Sequence, residues 1–222
     1  MACMDDLSVL AGCELFSSLH EEALARVAVN APTSRLERND ALFNEGDDAR
    51  EMFVVLSGRI AVAKRSSDGR ESLVALVEAG DLFGETPLFD EEPRPASARA
   101  LERSEVVRVS FDAVRRELEA RPELLWDVAA LLANRLRAAG AALADAMLLD
   151  VTGRTAKRLL EIAGDADEFA LPITQEELAG LVGASRERVN KAIAAFVRLG
   201  WLDQTERRYR VVNRERLAQR AG

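Results

Sequence analysis

The stretch ITQEELAGLVGASRERVNKAIAAF, residues 173–196, predicts two short helices joined by a tight turn. Thr174 is a suitable N-cap, and Glu177, three residues later, completes a capping-box pattern. Gly183 interrupts the apolar pattern at the turn, where a glycine can adopt the left-handed conformation. Ser185 is placed to cap the second helix, and apolar residues recur at helical spacing in both halves.

The outer surface of the second predicted helix is polar and mostly basic. Near its start it carries Arg186, Glu187, Arg188, Asn190 and Lys191. This is the layout of a helix-turn-helix, whose second helix enters the major groove with its N-terminal side chains on base edges. The alternative is an ordinary helical hairpin with a charged, solvated face. Because caps, turn and apolar stripes coincide, we favour the helix-turn-helix.

Charge is unevenly distributed along the chain. The whole sequence has 30 basic and 38 acidic residues, a net charge of −8. Residues 151–222 hold 13 basic and 10 acidic residues, and the part from residue 183 onward holds 10 basic and 4 acidic ones. Positive charge is therefore concentrated around the predicted recognition helix, as phosphate binding requires.

Length and composition restrict the class of protein. A chain of 222 residues with 48% hydrophobic content is typical of a globular protein of one or two domains. No apolar run is long enough for a membrane span, and the start lacks the basic leader of a secreted protein. We therefore expect a cytoplasmic protein with no membrane partner. Cys3 and Cys13 suit a reducing compartment, and a redox switch at these two residues stays open.

Upstream of the helix-turn-helix, the hydrophobic period changes twice. Residues 5–30 are predicted to be helical. From residue 33 to about residue 109, apolar and polar residues alternate with a period of two. Glycines punctuate this region at hairpin spacing, at Gly46, Gly58, Gly69 and Gly80. This pattern predicts an antiparallel β-roll or small barrel that encloses a pocket, so the chain is of the α+β class.

A candidate anion site lies in GETPLFDEEPRPASARA, residues 84–100. Gly84 and Glu85 are predicted to open a short helical turn, and Arg94 follows after a proline-rich loop. Helix N-terminal amides and one guanidinium would face a phosphate, while Glu85 would accept a hydrogen bond from a sugar hydroxyl. The alternative is a surface loop held by an Arg–Glu pair.

A long helix is predicted from Pro122 to about Leu149. Its apolar positions recur at steps of three and four: Leu125, Val128, Leu132, Leu136, Ala139, Leu143 and Met147. Such a seam predicts a homodimer, the alternative being packing on the chain's own barrel. The segment DVTGR, residues 150–154, is interpreted as a hinge that leads to a further helix over 155–163. Residues 205–212, with Arg207 and Arg208 at a turn, predict a hairpin wing.

The order of these elements resembles the cAMP receptor protein (CRP)/FNR family of bacterial transcription regulators, over nearly the whole chain. The motifs that carry the resemblance are GDLFGE at 80–85, Arg94, LLDVTGR at 148–154 and LVGASRERVNK at 181–191. The chain looks most similar to the branch found in high-GC Gram-positive bacteria. The resemblance implies a jelly-roll effector domain over residues 1–121, a dimerisation helix and hinge over 122–150, and a winged helix-turn-helix domain over 151–222.

The resemblance also implies double-stranded DNA as a partner, with a palindromic site near TGTGA-N6-TCACA, and RNA polymerase as a further partner. Arg186 suits guanine and Glu187 suits the cytosine amine. The residues expected at the DNA are Thr174, Gln175, Ser185, Arg186, Glu187, Arg188, Asn190, Lys191, Arg207 and Arg208.

The effector implied by the resemblance is cAMP or another cyclic nucleotide. The positions expected to contact it are Gly84, Glu85, Arg94, Pro95, Ala96, Ala139 and Gly140. Two features depart from the family's cAMP binders. Pro95 stands where a serine or threonine usually follows the arginine, and it lacks an N–H. Ala139 and Gly140 stand where polar side chains usually face adenine. Weak binding, a different ligand and ligand-independent DNA binding all follow as alternatives.

Other function classes fit less well. Two cysteines cannot hold an iron–sulfur cluster that needs four. A haem-binding sensor needs a histidine in the barrel, and the single histidine, His20, precedes it. We find no nucleophile–base pair, metal-ligand cluster or P-loop, so no catalytic or metal site is predicted. A cyclic-nucleotide-binding module whose helical tail binds protein rather than DNA is the remaining alternative.

Overall fold

A computed structural model describes residues 4–66, 71–206 and 208–222, with side chains from residue 8 onward. The expectations for Cys3, Gly69 and Arg207 therefore lie outside the described residues. The chain divides into two compact units. The first is built from the residues up to Arg65 together with Val74–Leu136, and the second is built around Arg137–Gly222.

The first unit begins with two short helices, α1 (Met4–Gly12) and α2 (Glu21–Ala28). The expectation of helix over residues 5–30 is therefore correct only at the two ends. Between them the backbone makes tight turns, in which the Phe16 amide bonds the Cys13 carbonyl and the Leu19 amide bonds the Phe16 carbonyl, each at 2.9 Å.

Eight strands follow, and they confirm the predicted antiparallel β-roll. They are β1 (Thr33–Leu36), β2 (Ala41–Phe43), β3 (Glu51–Ser57), β4 (Ile60–Arg65), β5 (Glu71–Val77), β6 (Leu82–Phe83), β7 (Ser97–Ala100) and β8 (Ser104–Ser110). They form two four-stranded sheets with the orders β1-β8-β3-β6 and β2-β7-β4-β5. Apart from β4 and β5, neighbouring strands in these sheets are not consecutive in sequence, so the sheets do not follow a simple meander.

The central strand β3 separates two hydrophobic cores. Met52 and Val54 pack in a core that also contains Phe16, from the turns between α1 and α2, and residues of both helices. Phe53 and Val55 point the other way, into a core shared by both sheets. Because β3 is covered on both faces, its sequence MFVVL is a continuous apolar run and not an alternating one.

Short helical segments flank the strands. Helix α3 (Pro87–Asp90) lies between β6 and β7. The Glu85 carbonyl accepts a hydrogen bond from the Leu88 amide at 2.9 Å, so the predicted helical turn opens at Glu85 and not at Gly84. Helix α4 (Phe111–Ala120) follows β8. Pro122–Leu124 form a single 3₁₀ turn, and the long helix proper, α5 (Leu125–Leu148), begins three residues later than predicted.

The apolar positions of α5 fall into two groups. Val128, expected in the dimer seam, is instead buried in the first unit beside Leu131. The other seam leucines and methionine are exposed by 39–77%: Leu125, Leu132, Leu136, Leu143 and Met147. One face of α5 therefore packs on its own unit, and a second face remains open in the described chain. Within the described ranges, no helix has the length and hydropathy needed to cross a membrane.

The second unit is a winged helix-turn-helix, as predicted. Its elements are α6 (Val151–Ala163), β9 (Glu168–Ala170), α7 (Gln175–Val182), α8 (Arg186–Arg198), β10 (Leu202–Thr205), β11 (Arg208–Val211) and α9 (Arg214–Ala221). The strands form a sheet in the order β10-β11-β9. The sequence reasoning missed β9, which is three residues long, and the closing helix α9.

The junction between α5 and α6 is shorter than the predicted hinge. Asp150 is the N-cap of α6, because its Oδ1 accepts a hydrogen bond from the Gly153 amide at 2.8 Å. The break is therefore confined to Leu149 and Asp150. Residues 151–154, which were expected to belong to the hinge, form the first turn of α6.

Candidate nucleic-acid interface and effector site

Local capping fixes the two helices of the helix-turn-helix. Thr174 Oγ1 accepts from the Glu177 amide at 3.2 Å, and Glu177 Oε2 accepts from the Thr174 amide at 2.6 Å, which confirms the capping box. Gly183 adopts φ 67° and ψ 44°, the left-handed conformation predicted for the turn. Ser185 Oγ then accepts from the Arg188 amide at 3.5 Å and caps α8.

The two faces of α8 have opposite characters. Its inner face is buried and consists of Val189, Ala192, Ile193 and Phe196. Its N-terminal outer face exposes Arg186, Glu187, Arg188 and Lys191. The polar side chains that were expected to read bases therefore project from one end of a helix whose position is fixed by its apolar side.

Charge on this face is partly paired already. Lys191 Nζ lies 2.7 Å from Glu187 Oε1, and both side chains are 75% exposed. This hydrogen bond lowers the pKa of Glu187. Arg186 and Arg188 form no ion pair with any residue that the structure describes. Sequence reasoning missed the Glu187–Lys191 pair, although the spacing of four residues was the signal for it.

The remaining expected DNA contacts are less prominent. Thr174 and Gln175 are half-buried at the start of α7. Asn190 is half-buried as well, and its Oδ1 is buried without a hydrogen-bond partner among the described residues. On the wing, Arg208 is exposed opposite Thr205, whereas Arg210 is paired with Asp203 at 2.5 Å. Among the wing arginines that the structure describes, Arg208 is thus the one without an ion pair.

The candidate effector site centres on Arg94, which is 4% exposed. Its Nη1 donates to the Gly84 carbonyl at 2.7 Å, and its Nη2 donates to the Glu51 carbonyl at 2.6 Å. The guanidinium carbon lies 4.3 Å from the centre of the Phe43 ring and 5.3 Å from that of Phe53. Burial lowers the pKa of Arg94, and nearby carboxylates including that of Glu51 oppose this shift.

Gly84 is required here by geometry. Its φ is +74°, and a Cβ at this position would lie 2.8 Å from Arg94 Nη1. The sequence predicted that the Gly84 amide would face an anion together with Arg94. The structure brings the two residues together, but through the Gly84 carbonyl. Arg94 Nε is buried and has no partner among the described residues, which leaves one donor that suits an anionic oxygen.

The other expected effector residues lie in different surroundings. Glu85 is buried, and its Oε1 lies 3.5 Å from Arg135 Nε on α5. Pro95 is exposed and Ala96 is buried. Ala139 and Gly140 are exposed on the part of α5 that belongs to the second unit, and they offer no polar side-chain atom. Sequence reasoning missed Arg135 and the phenylalanines around Arg94, because these contacts join residues far apart in the chain.

The surroundings of Cys13 and His20 disfavour redox chemistry at the first and haem ligation at the second. Cys13 is 1% exposed, and burial raises its pKa to about 12. The ring nitrogen Nδ1 of His20 lies 2.6 Å from Arg121 Nη1 and is engaged there as an acceptor. In the described part of the chain, no cluster of histidine, cysteine and acidic residues is arranged to hold a metal ion.

Two protein-family profiles match this chain. The cyclic nucleotide-binding domain matches residues 33–121, which span β1 to the end of α4. The Crp-like helix-turn-helix domain matches residues 153–220.

Curated relatives resemble the chain over most of its length. The CRP-like cAMP-activated global transcriptional regulator of Mycobacterium tuberculosis is 36% identical, over 98% of this chain and 100% of the relative. The cAMP-activated global transcriptional regulator CRP of Haemophilus influenzae is 30% identical, over 81% of this chain and 86% of the relative. Among solved structures, FixK2 from Bradyrhizobium japonicum has the same fold, with a TM-score of 0.79 and 23% identity over 86% of this chain and 98% of that one.

Proposed function

This chain belongs to the CRP/FNR family of transcription regulators, and on that premise we propose that it acts as a homodimer that binds palindromic double-stranded DNA through α8. It is a transcription regulator and not an enzyme. The observation that carries the proposal is the exposed N-terminal end of α8, where Arg186 and Arg188 are free of ion pairs with described residues. We extend the proposal to RNA polymerase as the partner that the bound dimer would recruit or block.

Specificity in this proposal comes from three side chains of α8. Arg186 is suited to guanine O6 and N7, and Glu187 to the cytosine amine. Both side chains of the Glu187–Lys191 pair are 75% exposed, so opening the pair to admit a base costs little. The site proposed for the dimer resembles TGTGA-N6-TCACA. Arg208, and Arg207 beside it in sequence, would contact phosphates from the wing.

Replacement of Arg186 by alanine tests this assignment. The variant should lose about 1–3 kcal/mol of specific binding and accept other bases at one position of each half-site. The measurement is the ratio of affinities for the palindrome and for random DNA at one salt concentration. Arg198→Ala, at the opposite end of α8, is the matched control and should keep that ratio. An unchanged ratio in Arg186→Ala would show that α8 does not read the site in this way.

For the first unit, we propose a cyclic nucleotide as the effector. A phosphate oxygen would take the free donor of Arg94 Nε, and the Glu85 carboxylate would accept from a ribose hydroxyl. The bound phosphate would add a negative charge in direct contact with the guanidinium, beyond the nearby carboxylates of Glu51, Asp47 and Glu85. The Gly84 and Glu51 carbonyls already hold the two terminal nitrogens of Arg94, which favours a second candidate: a regulator that binds DNA without any ligand.

A further inference from the structure

One guanidinium connects two helix ends in the second unit. Arg154 lies in the first turn of α6. Its Nε donates to the carbonyl of Val182, the last residue of α7, at 2.8 Å. Its Nη1 donates to the carbonyl of Leu149, directly after α5, at 2.7 Å. The last carbonyls of a helix have no partner within the helix, so Arg154 satisfies one such group at each of two helix ends.

Neighbouring contacts hold the same junction. Lys157 Nζ lies 2.6 Å from Asp145 Oδ2 and joins α6 to the last turn of α5. Arg220 of α9 forms an ion pair with Asp150, the N-cap of α6. Gly153 lets α9 approach closely, because a Cβ there would lie 2.9 Å from the Arg220 carbonyl oxygen. These contacts hold the C-terminal end of α5 and the residues after it against α6 and α9, and the hydrogen bond from Arg154 adds α7 to the same assembly.

We infer that Arg154 is a positioning residue that determines which half-site spacing the DNA-binding dimer accepts; this inference rests on the proposed function. Arg154 acts through the helices that it joins. It fixes α7 relative to the end of α5, and α8 packs on α7. In a dimer formed along α5, that arrangement sets the distance between the two recognition helices, and hence the spacing of the half-sites.

Arginine is suited to this task for geometric reasons. Two different nitrogens of one planar group hold the two carbonyls, so both bonds are made from a single side-chain conformation. Lysine keeps the charge but has one donor nitrogen. Lysine therefore cannot hold both carbonyls from two separate nitrogens, and alanine removes both hydrogen bonds. The sequence reading assigned Arg154 to a hinge, and the contacts indicate the opposite role.

The experiment compares wild type, Arg154→Ala and Arg154→Lys with the control Arg158→Ala, which removes an exposed pair with Glu161 on the same helix. The DNA set has a single half-site, and palindromes spaced by six base pairs, one fewer and one more. Wild type and Arg158→Ala should strongly prefer one spacing. Arg154→Ala should keep its affinity for a single half-site. Its affinity for the palindrome of preferred spacing should fall about tenfold or more, because the two DNA-binding domains of the dimer are no longer held in one rigid arrangement. Arg154→Lys should fall in between.

The outcomes separate the two hypotheses. If Arg154→Ala folds, dimerises and keeps the wild-type spacing profile, the inference is wrong. A uniform loss at the half-site and at every spacing would also overturn it, because such a loss indicates general damage to the domain. If Arg154→Ala does not fold, the Arg154→Lys variant provides the test. A wild-type dependence of its affinity on half-site spacing overturns the inference, and a weaker dependence supports it. If a second half-site does not raise the DNA affinity of the wild type, the proposed function as a DNA-binding dimer is wrong instead.

Discussion

At the scale of single residues, Glu117 on α4 is a buried carboxylate that joins separate segments of the first unit. It accepts from Arg26 Nε of α2 at 2.7 Å and from Arg121 Nη2 at 2.8 Å. The bond from Arg26 is the main cause of the lowered pKa of Glu117. A carboxyl whose pKa is lower in the folded state stabilises the fold above its unfolded pKa of about 4.3, and this contribution disappears as the pH falls through the folded pKa.

We therefore expect Glu117→Gln to destabilise the first unit at neutral pH, and to differ less from wild type as the pH falls below about 4. The loss at pH 7 should be about 1 kcal/mol, because Arg26 is 55% exposed and solvent screens the pair. Urea unfolding at several pH values measures this difference. Glu105→Gln, which removes a more exposed pair with Arg35, is the control and should have a smaller effect. A difference that grows at acid pH would contradict the argument.

A second residue-scale prediction concerns Cys13. Its thiol contacts the Val9 and Gly80 carbonyl oxygens, each at 3.3 Å, and its pKa is raised to about 12 by burial and by the charge of Asp81. The thiolate is the reactive form, so Cys13 should resist alkylation in the folded protein. The measurement is iodoacetamide labelling of a Cys3→Ser variant, which should show one reactive thiol in urea and none under native conditions. Fast native labelling would reopen a redox role for Cys13.

The candidate effector site shows how far residue patterns extend. The spacing of Gly84 and Arg94 was enough to predict that they meet, and they do. The sequence did not predict that Arg94 would contact the carbonyl of Gly84 and not its amide, because this depends on the backbone conformation directly after β6. The stacking of Arg94 on Phe43 and Phe53 depends on strands that meet only in the folded sheets.

At the scale of elements, the helix-turn-helix was predictable because its signals are local. Its two caps and its turn glycine lie within twelve residues, at Thr174, Gly183 and Ser185. The junction predicted at residues 150–154 is shorter in the structure, where only Leu149 and Asp150 separate α5 from α6. In the structure Gly153 is a helical residue that makes room for α9. Strand β9 exists through its pairing with β11, a non-local contact that three residues cannot signal.

The open face of α5 leads to a prediction about assembly. Leu132 and Leu136 are exposed one turn apart, in a series that continues to Met147. In the proposed homodimer this face is buried, so Leu132→Glu combined with Leu136→Glu would place like charges in an apolar interface. Light scattering should then report a monomer. Trp126→Glu, which is exposed on α5 outside this series, is the control and should stay dimeric. A double variant that remains a dimer would place the interface elsewhere.

At the scale of the whole molecule, the net charge of −8 says little about DNA binding. Much of the positive charge in the second unit is already paired with carboxylates, at Lys157, Arg158, Lys191, Arg210, Arg214 and Arg220. Arg186, Arg188 and Arg208 are exposed without such partners among the described residues. A count of basic residues therefore overestimates the positive charge that the second unit offers to phosphates, and α8 and the wing are places where exposed arginines stay free of carboxylates.

The response of the whole molecule to a nucleotide depends on what Arg94 can still offer. Two of its nitrogens hold carbonyls, and Pro95 adds no N–H for a phosphate oxygen. Ala139 and Gly140 provide no polar side chain to distinguish adenine from guanine. We expect cAMP and cGMP to bind with similar, weak affinity. A ligand shifts a conformational equilibrium only by its differential affinity for the two states, so added cAMP should raise DNA affinity only slightly.

Calorimetric titration of wild type and Pro95→Ser with cAMP and cGMP tests this expectation. Serine restores an amide and a hydroxyl beside Arg94, and a hydrogen bond to a charged group corresponds to about tenfold to a hundredfold in affinity. Pro95→Ser should therefore bind both nucleotides more tightly, without gaining selectivity for adenine. Pro93→Ser, in the same exposed loop, is the control and should behave like wild type. Submicromolar, adenine-selective binding by wild type, with a large gain in DNA affinity, would instead make the chain a cAMP-switched regulator in which Arg94 and Glu85 suffice for recognition.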